Sequence, residues 1–315
     1  MSAVAALAPA TYELFGLRIR SEIPFAVPPV GGQGFDIDVR WGEPHPVPPV
    51  PPAGERLAGL VVVDRIFHTA VRDDDGVLFR FCQVCEVRIS PGLDSVVVHP
   101  DPTGPVDMVP ILLAGNVVAL LLSLRGLEVL HGSAVALGNT AVAFVGHSNA
   151  GKSTLAGEAC VAGATLVADD VLAVEVDQVE ARCVRGGVEL RLRRGADELA
   201  ERLVPDADRT VDGRAAVAVA PSPARCQLAA IVVPQVTPGA PEPRLVPLGA
   251  KAAFETLMPY HRLAGLTDPV TIRHHFHACV DLARIVPVLS LVVAPGGAAQ
   301  AARLALSLCQ GDGSP

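Results

Sequence analysis

The sequence is short of the features that mark several protein classes. Tyrosine and tryptophan number only two and one, a coding bias that points to no function, and charged residues make up just 18% of the chain. It has no block of lysines and arginines. With a formal net charge of −8 at pH 7 it lacks the basic face that wholesale nucleic-acid binding needs. Its seven cysteines are scattered, an odd number in a chain too long for a stapled mini-domain. No disulfide framework is expected, and a reducing cytoplasm fits. The opening MSAVAALAPATYE lacks the basic start and long apolar run of a secretory leader. The most apolar stretch, VPILLAGNVVALLLSLRG from Val109, is interrupted by Pro110 and Asn116 and falls short of the ~20 residues of a spanning helix. It reads as a buried helix, so no membrane is expected. No repeat of about 20–50 residues recurs.

What is present is apolar and abundant. The chain has 315 residues, half of them hydrophobic, enough for two domains with a sizeable core. Residues 11–100 alternate short apolar runs (12–19, 60–63, 77–81, 84–89, 95–99) with turn residues, the pattern of a small β-rich domain. A proline-rich stretch, EPHPVPPVPPAG at 43–54, reads as an extended loop. From 128 the pattern changes to strand, glycine-rich loop, helix and strand, the order of a parallel nucleotide-binding unit. Strands are then expected at 171–176, 181–193, 226–233 and 286–293, and helices at 196–203, 251–258, 269–283 and 298–308. The expected domains are 1–105, a substrate-recognition module; 106–127, a connecting helix; and 128–315, the nucleotide-binding part.

Residues 146–153 read GHSNAGKS, which matches the phosphate-loop pattern G-x-x-x-x-G-K-[ST] at every fixed position. The apolar run 141–145 delivers the chain to the loop. Gly146 and Gly151 permit backbone angles and approaches that a Cβ would block. The intervening His147, Ser148, Asn149 and Ala150 present backbone N–H groups as an anion nest. A helix starting near Lys152 adds unpaired donors and its positive dipole end, with Ser153 and Thr154 in its first turn. The Lys152 ammonium reaches the β- and γ-phosphates, and the Ser153 hydroxyl is a Mg²⁺ ligand. ATP and Mg²⁺ are therefore the expected ligands.

Such a loop needs an acidic partner. The apolar run 164–168 ends in Asp169-Asp170, and acids at the carboxyl end of a strand beside the loop strand point into the same crevice. Adjacent side chains diverge, so one can serve metal-bound water while the other accepts a proton. His131-Gly132 precedes the loop strand; spacing alone gives that histidine no role beyond structure.

Three segments together resemble the catalytic half of HPr kinase/phosphorylase: His131-Gly132, the loop at 146–153, and the acidic pair in LVADD. The resemblance spans roughly 128–195. It implies an α/β fold, a P-loop kinase domain of the HPr kinase type, joined here to an N-terminal β-rich (α+β) domain. It implies Asp169 as general base towards a serine hydroxyl, His131 as its assistant or as a contact of the γ-phosphate, Lys152 as phosphate clamp, Ser153 as Mg²⁺ ligand, and Asp170 as a Mg²⁺/water or supporting ligand. Glu189, in Glu189-Leu190-Arg191, partly matches that family's E-x-R-G segment and is carried as a third metal residue. The glycine-rich signature that follows there is missing. The opening YELFGL and SEIP, and the late Leu282-Ala283 and Val286-Pro287-Val288, look like a divergent branch encoded with lasso-peptide pathways. That branch implies a serine-containing peptide or protein as acceptor, typically at a precursor's C-terminus. The regulators of the family are hexamers, which implies self-association.

Other constellations are weaker. Cys82-x-x-Cys85 has no second pair and sits in a strand-like run, so ordinary cysteines are expected. His274, His277 and Asp281 would share a helix face, which reads as solvated rather than as a metal site. Arginines between 182 and 194 read as a solvated strand face, with a phosphate or an acidic peptide as the alternative partner, and Arg262 and Arg273 could approach a phosphate but are singled out by nothing local. Two rival functions stand: a nucleotide-binding regulator without transfer activity, and a kinase of a small molecule such as free serine.

Overall fold

The structure, a computed structural model, describes residues 8–62 and 65–310. The first seven residues of the stretch read for a leader, and Val63 at the end of one expected strand, lie outside it. The chain divides into two compact units, residues 1–126 with 263–273, and residues 127–262 with 274–315. The helical run after 105 thus groups with the first unit, and a late segment returns to that unit.

The first unit is built on an eight-stranded sheet. Its strands are β1 (Ala10–Leu14), β2 (Leu17–Ser21), β3 (Ile37–Trp41), β4 (Glu55–Val62), β5 (Arg65–Asp73), β6 (Gly76–Phe81), β7 (Cys85–Ile89) and β8 (Ser95–Pro100), in the order β1-β2-β3-β8-β7-β6-β5-β4. The run expected as one strand at 12–19 is a hairpin instead. Phe15 and Gly16 both take positive φ, 54° and 73°, the left-handed pair that a tight two-residue turn requires. Alternation is clean in β7 and β8, where every second side chain is buried. The apolar run 106–124 is a 3₁₀ turn followed by α1 (Val109–Leu112), a π turn at Leu113–Val117, and α2 (Val118–Leu124). Pro110 sits in the first turn, where its missing N–H costs nothing. By length and composition this run could cross a membrane, yet Val118 to Ser123 are all buried inside the protein.

The second unit is mixed α/β. Its strands are β9 (Glu128–Leu137), β10 (Thr140–Val145), β11 (Thr165–Ala168), β12 (Val171–Val176), β13 (Ala181–Val184), β14 (Glu189–Leu192), β15 (Ala215–Ala218), β16 (Arg225–Val236), β17 (Arg244–Pro247) and β18 (Val288–Val293). Its helices are α3 (Lys152–Val161), α4 (Asp197–Leu203), α5 (Ala250–Leu257) and α7 (Ala298–Leu306). Helix α6 (Pro269–Ile285) begins in the segment assigned to the first unit. The unit is not the simple parallel one expected. Leu137 pairs with Thr140 across a two-residue turn, so β9 and β10 form an antiparallel hairpin. On its other side β9 pairs with β11 and β12, both antiparallel. The loop strand β10 is parallel to β16, and β16 to β18. Leu155, Ala156 and Ala159 of α3 seal this core with Val142 and Phe144 of β10, Leu166 of β11, and Ala301, Ala302 and Ala305 of α7. That packing fixes the start of α3 at the carboxyl end of β10.

Candidate functional site

Between β10 and α3 the chain turns through residues 146–151. Asn149 and Gly151 take positive φ, 69° and 86°. At Gly151 this is the left-handed region that glycine enters without cost. Gly146 differs from expectation: a Cβ there would make only ordinary contacts, 3.4 Å from Ala150 Cβ, so the loop's own backbone does not demand a glycine. Lys152 is buried and folds back over the loop, donating to the carbonyl oxygens of Gly146 at 2.9 Å and His147 at 2.8 Å. Burial lowers its pKa to about 8, against the raising effect of Asp170 and Asp169.

The acids approach from β11, one strand further away than expected. Because β9 is antiparallel to both β10 and β11, those two run the same way, and their carboxyl ends meet on one side. Ala168 pairs with Ala134 and Val171 with His131, so Asp169 falls opposite Ser133 and Asp170 opposite Gly132. Asp170 has φ 71°, and the Val171 N–H donates to the Asp169 carbonyl at 2.9 Å, closing a tight three-residue turn. A non-glycine residue held at such an angle is the kind of strain found at functional sites. A Cβ at Gly132 would lie 2.9 Å from the Phe144 carbonyl oxygen, so the residue between His131 and Ser133 must be small.

The two carboxylates have different surroundings. Asp169 Oδ1 accepts from Ser153 Oγ at 2.8 Å and from Ser133 Oγ at 2.5 Å, and its Oδ2 accepts from the Arg191 backbone N–H at 3.1 Å. Burial outweighs these donors, and its pKa is raised. Asp170 faces charge: Arg262 lies 2.6 Å from one oxygen and His131 Nε2 3.4 Å from the other. Burial works to raise its pKa as well, but Arg262 and His131 together hold it well below the usual carboxylate range.

A third wall comes from β14. Leu190 and Leu192 point into the core, so Glu189, Arg191 and Arg193 face the other way. Arg193 reaches the Ser148 hydroxyl in the loop at 3.1 Å. Arg191 pairs with Asp212 at 2.6 Å, and Arg214 approaches the same carboxylate at 3.3 Å. Burial and the charges of Arg191 and Arg193 lower the pKa of Arg214. The arginines expected on a solvated face thus divide: Arg182 pairs with Glu180, while Arg191 and Arg193 belong to the site. Tyr260 packs edge-on against His147, ring centroids 4.9 Å apart.

The three residues expected at the metal have different partners. Ser153 meets Asp169, Asp170 meets His131 and Arg262, and Glu189 senses Asp169 through its charge, which adds to burial in raising the Glu189 carboxyl. Among the described residues no three His, Cys, Asp or Glu side chains could hold a metal together. Mg²⁺ does not require that: it binds one or two carboxylates, keeps waters, and takes its remaining ligands from phosphates. The Ser153 hydroxyl beside Asp169 is a hard oxygen set of that kind. Ser133 and Tyr260 carry no signal in the sequence pattern, Arg193 is marked only as one of the arginines between 182 and 194, and nothing local assigns Arg262. Cys82 and Cys85 flank the β6–β7 turn, neither of them in a disulfide, and burial pushes the Cys85 thiol up to about 12.

No family model matches the chain, and no curated protein matches it. Among solved structures, the Hpr(Ser) kinase/phosphatase from Coxiella burnetii is similar over 58% of this chain and 94% of that one, with 12% sequence identity and a TM-score of 0.31.

Proposed function

We propose that the chain is an ATP-dependent serine kinase that moves the γ-phosphoryl group of ATP to a serine hydroxyl of a peptide or protein. The observation that carries this reading is the Ser153 hydroxyl on Asp169 at the mouth of the loop, with Lys152 folded over the loop carbonyls and feeling the charge of both acids, and Asp170 paired with Arg262 and His131. A plain glycine turn needs none of these. Phosphoryl transfer needs positioning and charge neutralisation, and Lys152, Arg193, Arg214 and Arg262 supply the positive charge. Ser153, with Asp169 beside it, would hold Mg²⁺ together with the phosphates, and the ion would supply further charge neutralisation there.

Of the two acids, Asp169 takes the acceptor's proton. Its partners are neutral donors and its pKa is raised, whereas both oxygens of Asp170 face positive groups. One contact favours a second assignment: Asp169 shares its Oδ1 with Ser153, which would put Asp169 on the Mg²⁺ side and leave the Asp170–His131 pair facing the acceptor. Turnover of Asp169→Asn and Asp170→Asn over a Mg²⁺ series separates them. The flanking motifs support a lasso precursor peptide as acceptor, the resemblance of the 128–195 region supports self-association, and the scattered, odd-numbered cysteines support a cytoplasmic location. Incubating the chain with ATP and a serine-ended peptide, followed by mass spectrometry, tests the activity. ATP bound without any phosphate transfer would leave the regulator reading, and transfer to free serine alone would favour the small-molecule kinase.

A further inference from the structure

Residues 258–262 bring two side chains to the site, Tyr260 against His147 and Arg262 against Asp170. The segment's backbone is attached to β9 by an isolated bridge between His261 and Leu130 and by the Arg262 N–H donating to the Val129 carbonyl at 2.9 Å. Behind the segment sits His275 of α6. Its Nδ1 is 2.7 Å from Glu128 Oε1 at the start of β9, and its Nε2 is 2.9 Å from the Met258 carbonyl oxygen.

With Glu128 ionised, neither its carboxylate nor the Met258 carbonyl has a proton to give, so both ring nitrogens donate. A neutral imidazole has one N–H; only the imidazolium satisfies both partners. The pair is buried, 4% and 1% exposed, and the second carboxylate oxygen of Glu128 has no hydrogen-bond partner among the described residues. His275 is the counter-ion in the structure for that buried charge. The other groups facing the ring are His261, edge-on at 5.0 Å, and Cys279, whose Sγ lies 3.7 and 3.8 Å from its nitrogens. Burial would discharge the ring, but Cys279 and Glu128 outweigh it and raise its pKa to about 10.

We propose that His275 is a positioning residue: anchored by Glu128, it grips the Met258 carbonyl and so fixes residues 258–262 with Arg262 on Asp170 and Tyr260 on His147. The grip is a fact of the polypeptide; its effect on rate rests on the kinase reading above. A pair kept only for packing would destabilise the chain when broken, with no particular tie to Arg262. A pair that acts through Arg262 has no further effect once Arg262 is gone.

The test uses the full chain and [γ-³²P]ATP turnover. His275→Gln is expected to lower kcat on the order of 10- to 100-fold, the cost of a small misplacement, with little change in KM for ATP. His275→Gln combined with Arg262→Ala should turn over no more slowly than Arg262→Ala alone. Full activity of folded His275→Gln, or losses that multiply in the double variant, would overturn the proposal. If His275→Gln does not fold, Glu128→Gln serves: it keeps an acceptor for the ring but removes the charge. Its kcat relative to wild type should then fall as pH rises through a lowered His275 pKa; a ratio that stays constant over pH sinks the idea. The two readings also fail separately. A wild type that turns over no ATP removes the kinase, whereas a neutral His275 ring in nitrogen NMR of wild type at about pH 8 removes the grip.

Discussion

Arg262 donates to Oδ2 of Asp170 over 2.6 Å, joining residues 92 positions apart. The carboxylate's low pKa depends on that guanidinium and on His131. A group whose folded pKa is depressed contributes stability above its ordinary value, near ~4, and loses it as pH falls below that. Arg262→Ala should therefore cost about 1–2 kcal/mol at neutral pH, a figure discounted because Asp170 is partly exposed. The gap to wild type should close as the pH falls below ~4. Urea unfolding across a pH series checks this; a gap that stays constant into acid would assign the loss to packing.

Lys152 leads to a proton count. Burial lowers its pKa to about 8, so near that pH about half of the chains carry it neutral. A bound triphosphate restores the charge. ATP binding at about pH 8 should take up roughly half a proton, and at about pH 6.5 almost none. Calorimetry in buffers of different ionisation enthalpy reads this directly. Lys152→Ala should bring ATP binding below detection, and unchanged affinity would remove the phosphate cradle from the account.

The acid pair separates by what Mg²⁺ can rescue. With Asp169 as base, Asp169→Asn should lower kcat by about 10²- to 10⁴-fold at saturating Mg²⁺. With Asp169 on the metal side, the same change should instead raise the Mg²⁺ needed for half-maximal rate, and Asp170→Asn should carry the larger loss in kcat. Steady-state rates of both variants over a Mg²⁺ series decide which assignment stands.

The strand–loop–helix turn at 146–153 was legible because everything it needs is local: an apolar strand, two glycines, a lysine, a serine and a helix lie within one short window. The acid pair was legible as the end of an apolar run. Its neighbourhood was not, because β9 lies between the loop strand and the acids. A signal existed: Gly138-Asn139 between two apolar runs is a two-residue hairpin turn, which makes β9 and β10 antiparallel. Arg262 carries no such signal, since the fold, not spacing, brings it to Asp170. His275 was masked by the histidines around it. Helical spacing picked out His274, His277 and Asp281, while the buried side chain is the one between them in sequence.

Ser133 offers the sharpest check on whether strand register, rather than the loop, orders the acids. It is fully buried, and its hydroxyl donates to Asp169 at 2.5 Å from the facing position on β9. Ser133→Ala removes one donor and leaves Ser153 and the Arg191 N–H on the same carboxylate. With fewer partners for its charged form, Asp169 should rise further in pKa. The acidic limb of the kcat profile should move to higher pH, kcat near neutrality should drop about 10-fold, and ATP affinity should hold, because no loop contact is touched. Gly132→Ala, one residue away, should behave differently. Its Cβ meets the Phe144 backbone, so the hairpin must shift, and stability and ATP affinity should fall together. If Ser133→Ala also lost nucleotide affinity, the serine would be supporting the cradle itself rather than tuning the carboxylate.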